Sequence, residues 1–222
     1  MGHERSRPPG DAAVASRDTW QSTTHDWTRD VDPDHLEQIR GAPEAFAPGG
    51  ALHLVLEVLA YAADEAADRG SGRAVVTLHA DGSISVADDG RGTDTRIDGE
   101  GRVVRKPVMA TKDLRFFVAQ DAPELPDGHP RRGISVVAAL SAWLVHTNRR
   151  ADGSWMQRYE HGIPVVDLTP VPDDGTTGTT VHFLPDARRV VDLSAAAEEL
   201  QRLAARLHPA LSVDVRACEP SA

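Results

Sequence analysis

Three side chains that can carry protons recur every four residues in the stretch "LHLVLEVLAYAADEA": His53, Glu57 and Tyr61. On a helix that spacing sets an imidazole, a carboxylate and a phenol on one side, with His53 and Glu57 about 6 Å apart along the axis. Lining a cavity, the three form a proton-transfer set that needs no metal, and the imidazole can orient the carboxylate. The competing reading is structural, with His53 a helix-start histidine and Tyr61 a packing plug. A second stretch, "ISVADDGRGTDT" (residues 84 to 95), puts two acids, an arginine and two glycines at the end of an alternating apolar run. It reads as an ordinary surface turn or as the floor of a ligand pocket.

The elements that would position these residues are legible. The stretch after Gly49-Gly50 repeats Leu52, Val55, Leu56, Leu59 and Ala63 at helical spacing and stops at Gly70. "RAVVTLHADGSISVADDG" is two alternating runs joined by Asp81-Gly82, which predicts a tight hairpin. "DPDHLEQIRGAP" predicts a short helix capped by Asp32 or Asp34. The polar segment from Thr93 to His129 reads as loop with one short helix around "KDLRFFVAQ". "GISVVAALSAWLV" reads as an apolar helix passing into a strand. "SWMQRYEHGIPVVDLTPV" and "GTTVHFLPD" have the β-branched content of strands. "LSAAAEELQRLAARLHPA" predicts a closing amphipathic helix and "LSVDVRA" a last strand. The order predicts an α+β two-layer sandwich, helices over one face of a mixed sheet, as one domain from residue 33. Residues 1 to 32 read as an extended arm anchored by Trp20 and Trp27, a candidate contact for a protein partner.

At 222 residues, the chain can bury one sizeable core. A net charge of −10 disfavours general attraction to nucleic acid. The single cysteine, Cys218, cannot form an internal disulfide, which fits a reducing cytoplasm. Apolar runs fall short of a membrane span, and the N-terminus lacks a signal-peptide core, so a cytoplasmic protein is expected.

Three segments in this order, "HLVLEVLAYAADEA", "SISVADDGRG" and "TGTTVHFLP", resemble the N-terminal ATP-binding domain of the DNA gyrase B protein, a member of the GHKL class with the Bergerat fold. "GISVVAALS" and "YEHGIP" fall at the expected distances, and the resemblance covers roughly residues 33 to 217. It implies a nucleotide held between helices and sheet, with ATP or a related adenine ligand as the cofactor. By the same resemblance Asp88 accepts a hydrogen bond from the adenine amine, an acceptor-only group meeting a donor. Gly90 and Gly92 belong to the base-binding loop, where a Cβ at Gly92 would strike the ring. Thr179 completes the base contacts, Glu65 and Arg91 form a charge pair at the pocket edge, and Arg150 stands at the mouth. Glu57 corresponds to the general base that activates water. Read without the family, Thr179 is a strand threonine, and Arg91 with Glu65 an exposed ion pair.

The chain departs from the family where the triphosphate would lie. Tyr61 occupies the position of the magnesium-binding asparagine, and a phenol is a poor ligand for a hard cation. The glycine-rich lid becomes "DGHPRRGIS": Gly128 and Gly133 remain, while Pro130 removes a donor. Arg131 and Arg132 replace small residues there, either to hold an anion by charge or to face solvent. "IRGAPEAFAPGG" stands in place of the family's basic loop that closes over a partner's nucleotide, so ATP-driven dimerisation is not expected. The chain stops where the ATPase subdomain stops, so topoisomerase activity by this chain alone is not expected either. Three functional readings follow: a binder of adenine nucleotide or an adenine-mimicking small molecule, a metal-independent enzyme built on His53, Glu57 and Tyr61, and a non-catalytic inhibitor-binding or regulatory module.

Overall fold

The computed structural model describes residues 24–25, 29–117, 122–186 and 193–218. The fold follows the apolar periodicities. Helix α1 (Pro33–Gly41) begins at Asp32, whose carboxylate accepts from the His35 N–H, and α2 (Pro43–Phe46) is one further turn. Helix α3 (Ala51–Arg69) is the central element, buried on most of its circumference and closed by Gly70 in the left-handed conformation. Hairpin β1 (Gly72–Leu78) and β2 (Ile84–Asp88) follows. Its turn runs from His79 to Ser83 with Gly82 left-handed, longer than the two-residue turn that Asp81-Gly82 suggests. Asp81 instead accepts from both the backbone and the hydroxyl of Ser83.

Residues 93 to 117 carry more order than their polarity suggests. They hold a hairpin of β3 (Thr95–Ile97) and β4 (Val103–Arg105), then α4 (Leu114–Phe117). The turn of the hairpin closes on Asp98, whose carboxylate accepts from the Glu100 and Arg102 N–H groups. Helix α5 (Ile134–Ala139) passes into β5 (Ser141–Arg150), as its sequence predicts. Strands β6 (Gly153–Glu160), β7 (Ile163–Pro164), β8 (Thr169–Pro170) and β9 (Gly178–Pro185) follow, then α6 (Leu193–Ala204) and β10 (Leu211–Ala217).

Eight strands form one sheet in the order β10-β1-β2-β9-β5-β6-β7, with β8 also on β6. Among the described residues only β1 and β10 pair in parallel, so the sheet is mixed. Helices α3, α5 and α6 pack over it. The two-layer α+β reading is therefore the observed fold.

Register explains where a site can form. One inward row of the sheet is Leu78, Ile84, Phe183 and Leu144, all buried. Two residues along, the row is Val76, Val86, Val181 and His146. One step further it becomes Ala74, Asp88, Thr179 and Asn148, with Ala74 opposite Asp88 and Thr179 opposite Asn148. An inward face that changes from apolar to polar along three rows marks the end of the core and the start of a wet cavity.

Of residues 1 to 32, Trp20 and Trp27 lie outside the described residues. The described part is not detached. His25 is buried against Thr111, and the Thr24 carbonyl accepts from the Leu114 N–H at 2.8 Å. Among the described residues no helix is long and apolar enough to cross a membrane, and Cys218 is exposed and unpaired.

Candidate functional site

Between α3 and the polar row of the sheet lies a cavity of about 530 Å³, a size suited to a small organic ligand. Its helical wall is the stripe Val58, Tyr61, Glu65 and Asp68, with Asp64 beside it. Its sheet wall includes Asp88, His146, Arg150, Thr179 and Val181, and its rim includes Arg91, Gly92, Thr93 and Asp94. Val108, Met109 and Ile134 supply apolar surface.

Asp88 sits at the floor. One oxygen accepts from the Gly90 N–H at 2.8 Å and the other from the Thr179 hydroxyl. A carboxylate offers about four acceptor positions, so two such bonds leave capacity for a ligand donor. Burial raises the Asp88 pKa above the ordinary carboxylate value, and the bonds from Thr179 and Gly90 offset only part of that. A Cβ at Gly90 would lie 2.7 Å from this carboxylate and 2.8 Å from Glu65, so the loop requires glycine there.

The loop that follows is pinned from β5. The Asn148 amide accepts from the Thr93 N–H at 2.7 Å and donates to the Thr93 carbonyl at 2.9 Å. Gly92 has φ +80°, and a Cβ would meet Asn148 at 2.6 Å and the Arg149 carbonyl at 2.7 Å. The demand for glycine at 92 thus comes from β5, where the sequence reading assigned it to a bound ring. Glu65 holds Arg91 bidentately at 2.7 and 2.9 Å and accepts from its backbone N–H as well. Arg150 donates to the Gly92 carbonyl and pairs with Asp94 and Asp152.

The other end of α3 corrects the proton-transfer reading. His53 and Glu57 are fully buried and neither lines the cavity; of the three, only Tyr61 does. Both Glu57 oxygens accept backbone N–H groups, from Arg132 at 2.5 Å and Gly133 at 2.8 Å. His53 lies 2.7 Å from Asp127 and 3.4 Å from Glu57. Burial alone would lower its pKa, but the bonds and charges of Asp127 and Glu57 prevail and raise it to about 9. The Tyr61 hydroxyl donates to Asp113 at 2.9 Å, and burial followed by the Asp113 charge raises its pKa further. The shared spacing is real, but α3 is buried on most sides, so a common side is not the cavity side.

The two arginines of the shortened lid also differ from both sequence readings. Arg131 is 6 % exposed. It is bidentate on Asp64 at 3.1 and 2.8 Å, with its guanidinium over the rings of Tyr61 and Phe116. Arg132 acts through its backbone on Glu57, and its side chain reaches the Phe116 carbonyl. Gly128 closes a turn onto Leu125, and Gly133, with φ +94°, lies where a Cβ would come 3.1 Å from Tyr61 and Asp113. None of these four lines the cavity.

Sequence reasoning missed Thr24, Asp64, Lys106, Asp113, Arg115, Asp127 and Asn148. Asp113 is the hub of a buried cluster, taking Tyr61, a bidentate Arg115 and a contact from His25. Burial would raise its pKa, yet His25 and Arg115 hold it well below the carboxylate range.

A mixed sheet under helices, with a polar floor beneath the long helix, defines the nucleotide-binding fold of the GHKL class. No protein-family model matches the chain. It is 35% identical to the DNA gyrase B protein of Synechocystis over 159 residues, and 35% identical to that of Thermotoga maritima over 156. These matches cover 69% and 68% of this chain but 15% and 24% of the relatives' lengths. The B protein of DNA topoisomerase 4 from Bacillus subtilis is 33% identical over 156 residues. Among solved structures, the topoisomerase IV ATP-binding domain of Francisella tularensis, in complex with a small-molecule inhibitor, superposes with TM-score 0.61 at 26% identity. That match covers 82% of this chain and 89% of that one. The chain is a gyrase-B-like domain, homologous to the B proteins of gyrase and topoisomerase IV over about two-thirds of its length.

Proposed function

We propose that the chain binds an adenine nucleotide, or a small molecule that mimics adenine, in the cavity beneath α3, with ATP hydrolysis weak or absent. The observation that carries this reading is Asp88: a partly buried carboxylate on a cavity floor, fixed by Thr179 and Gly90 and retaining acceptor capacity. Val58, Ile134 and Val181 enclose a planar ring, and the directed bond from its amine sets its orientation. The homology to ATP-binding proteins supports the same ligand class.

Magnesium does not fit the residues present. The phenol of Tyr61 stands at the ligand position and is already bonded to Asp113. The Glu57 carboxylate is engaged by two backbone N–H groups away from the cavity. No water-activating step is therefore assigned to Glu57, and a metal-independent enzyme built on His53, Glu57 and Tyr61 loses its geometric basis. A non-catalytic binding or regulatory role follows from the same cavity, and Arg150 at its mouth can meet the outer part of a longer ligand.

Calorimetric titration of the chain with adenosine, ADP and ATP, each with and without magnesium, tests the reading. Saturable binding that is indifferent to magnesium is expected, with negligible phosphate release from ATP. Absence of binding for every adenine compound overturns it, and magnesium-dependent affinity or turnover overturns its metal-free part.

A further inference from the structure

Among the described residues, four lysine and arginine side chains line the cavity, and three of them are already neutralised. Arg91 is bidentate on Glu65, Arg115 is bidentate on Asp113, and Arg150 pairs with Asp94 and Asp152. Lys106 is the fourth. It is half-buried in the cavity wall, and its ammonium has no hydrogen bond or ion pair among the described residues. Its backbone is anchored, since its N–H donates to the Asp94 carbonyl and its carbonyl accepts from the Val108 N–H at 2.8 Å. The side chain therefore starts from a fixed point on the wall.

An ammonium drawn partly out of water with no counter-charge is in an unfavourable state. Burial, and then the neighbouring charge of Arg115, accordingly lower the Lys106 pKa. Asp113 and Asp94 pull the other way, but Asp113 is committed to Arg115 and Asp94 to Arg150. An anionic group entering the cavity would relieve the charge that the protein leaves uncompensated.

We propose that Lys106 is the receptor for an anionic substituent, a phosphate or a carboxylate, carried by the same planar ligand whose amine meets Asp88. The subsite works by direct charge pairing without a metal, and it rests on the adenine-pocket reading above. It gives the ligand a defined chemistry: a heteroaromatic amine at one end and an anion at the other. It also gives the cavity an anion contact of its own, where Arg131 and Arg132 have been turned to structural use.

The test is calorimetry of the full chain in chelator, using adenosine, AMP and adenosine-5′-carboxylate against wild type, Lys106→Met and Lys106→Arg. Wild type should bind one or both anionic compounds about tenfold or more tighter than adenosine, as one charge-assisted hydrogen bond allows. That advantage, read in each variant as the ratio to its own adenosine affinity, should vanish in Lys106→Met and return in Lys106→Arg. An advantage for AMP alone identifies phosphate as the group received, and an advantage for both identifies any small anion. Equal affinities in wild type, or an advantage that survives Lys106→Met, overturn the subsite. Lys106→Gln replaces Lys106→Met should thermal melting show that methionine disturbs the fold. If adenosine, AMP and adenosine-5′-carboxylate all fail to bind, the adenine reading falls and pyrophosphate decides the subsite. Saturable binding to wild type but not to Lys106→Met then upholds it, and no binding removes it.

Discussion

Asp88 and Glu57 are both carboxylates that the sequence marks as site candidates, and their circumstances differ in the way that matters for function. Asp88 ends a strand, accepts two bonds from its own loop and sheet, and still faces open volume. Glu57 lies mid-helix, fully buried, with both oxygens on backbone N–H groups and an imidazole against one of them. Asp88 keeps acceptor capacity toward the cavity. Glu57 is a strut that joins α3 to the segment before α5. The contrast teaches that residue type marks a candidate site, while the unused hydrogen-bonding capacity facing the cavity decides which candidate can act.

Breaking the strut should have the largest effect. Glu57→Ala leaves the buried Gly133 N–H, the partly buried Arg132 N–H and the His53–Asp127 pair without their partner, and should lower stability by about 3–5 kcal/mol. Urea unfolding measures it, and a loss below about 1 kcal/mol would remove the strut interpretation. Breaking the receptor should do the reverse, sparing the fold and costing the ligand. Asp88→Asn should weaken adenosine binding by about 10- to 100-fold, the value of one hydrogen bond to a charged group, with a nearly unchanged melting temperature.

The strut also has a pH signature. His53 in the fold is raised to about 9 from an ordinary 6.5, so its stabilisation is complete below pH 6.5 and fades as pH rises through about 9. Melting temperature should therefore fall across that window, and Asp127→Asn, which removes the 2.7 Å partner, should flatten the fall. A wild-type profile that is level from pH 6.5 to 9 would contradict the assignment. The smallest effect is expected at the rim. Arg91 is 62 % exposed, so Arg91→Ala should leave the melting temperature within error of wild type, because water screens its pair with Glu65.

Much of the fold was legible because its signals are periodic. The apolar repeat of α3, the alternation of β1 and β2, and the passage of α5 into β5 each follow from spacing. The cavity floor was legible through the family resemblance, which singled out Asp88 and Thr179, and both line the cavity. What was not legible joins residues far apart in the chain. Tyr61 reaches Asp113 across 52 positions, and His25 reaches Thr111 across 86. Arg131 reads as a solvent-facing or anion-binding residue until Asp64 and the rings of Tyr61 and Phe116 are seen around it. Lys106 lies in a polar stretch without periodicity, and only the pairing of the other cavity-lining cations, Arg91, Arg115 and Arg150, singles it out among the described residues. The His53, Glu57 and Tyr61 spacing fixed a common side of α3 correctly, but could not tell core from cavity on a helix buried almost all round.

The packing of Thr24 and His25 changes what a truncation would report. Thr24 lines the cavity and His25 is buried beside the Asp113 cluster, so removing residues 1 to 32 alters the pocket together with any partner contact. A cut before residue 24 leaves Thr24 and His25 in place.

The central claim is that the Asp88 carboxylate receives the amine of a planar guest. A crystal structure of the chain grown with adenosine tests it most directly. The account predicts the exocyclic amine within hydrogen-bond distance of Asp88, with the ring between Val58 and Val181. Adenosine seated elsewhere, or in the cavity with its amine turned away from Asp88, would contradict it.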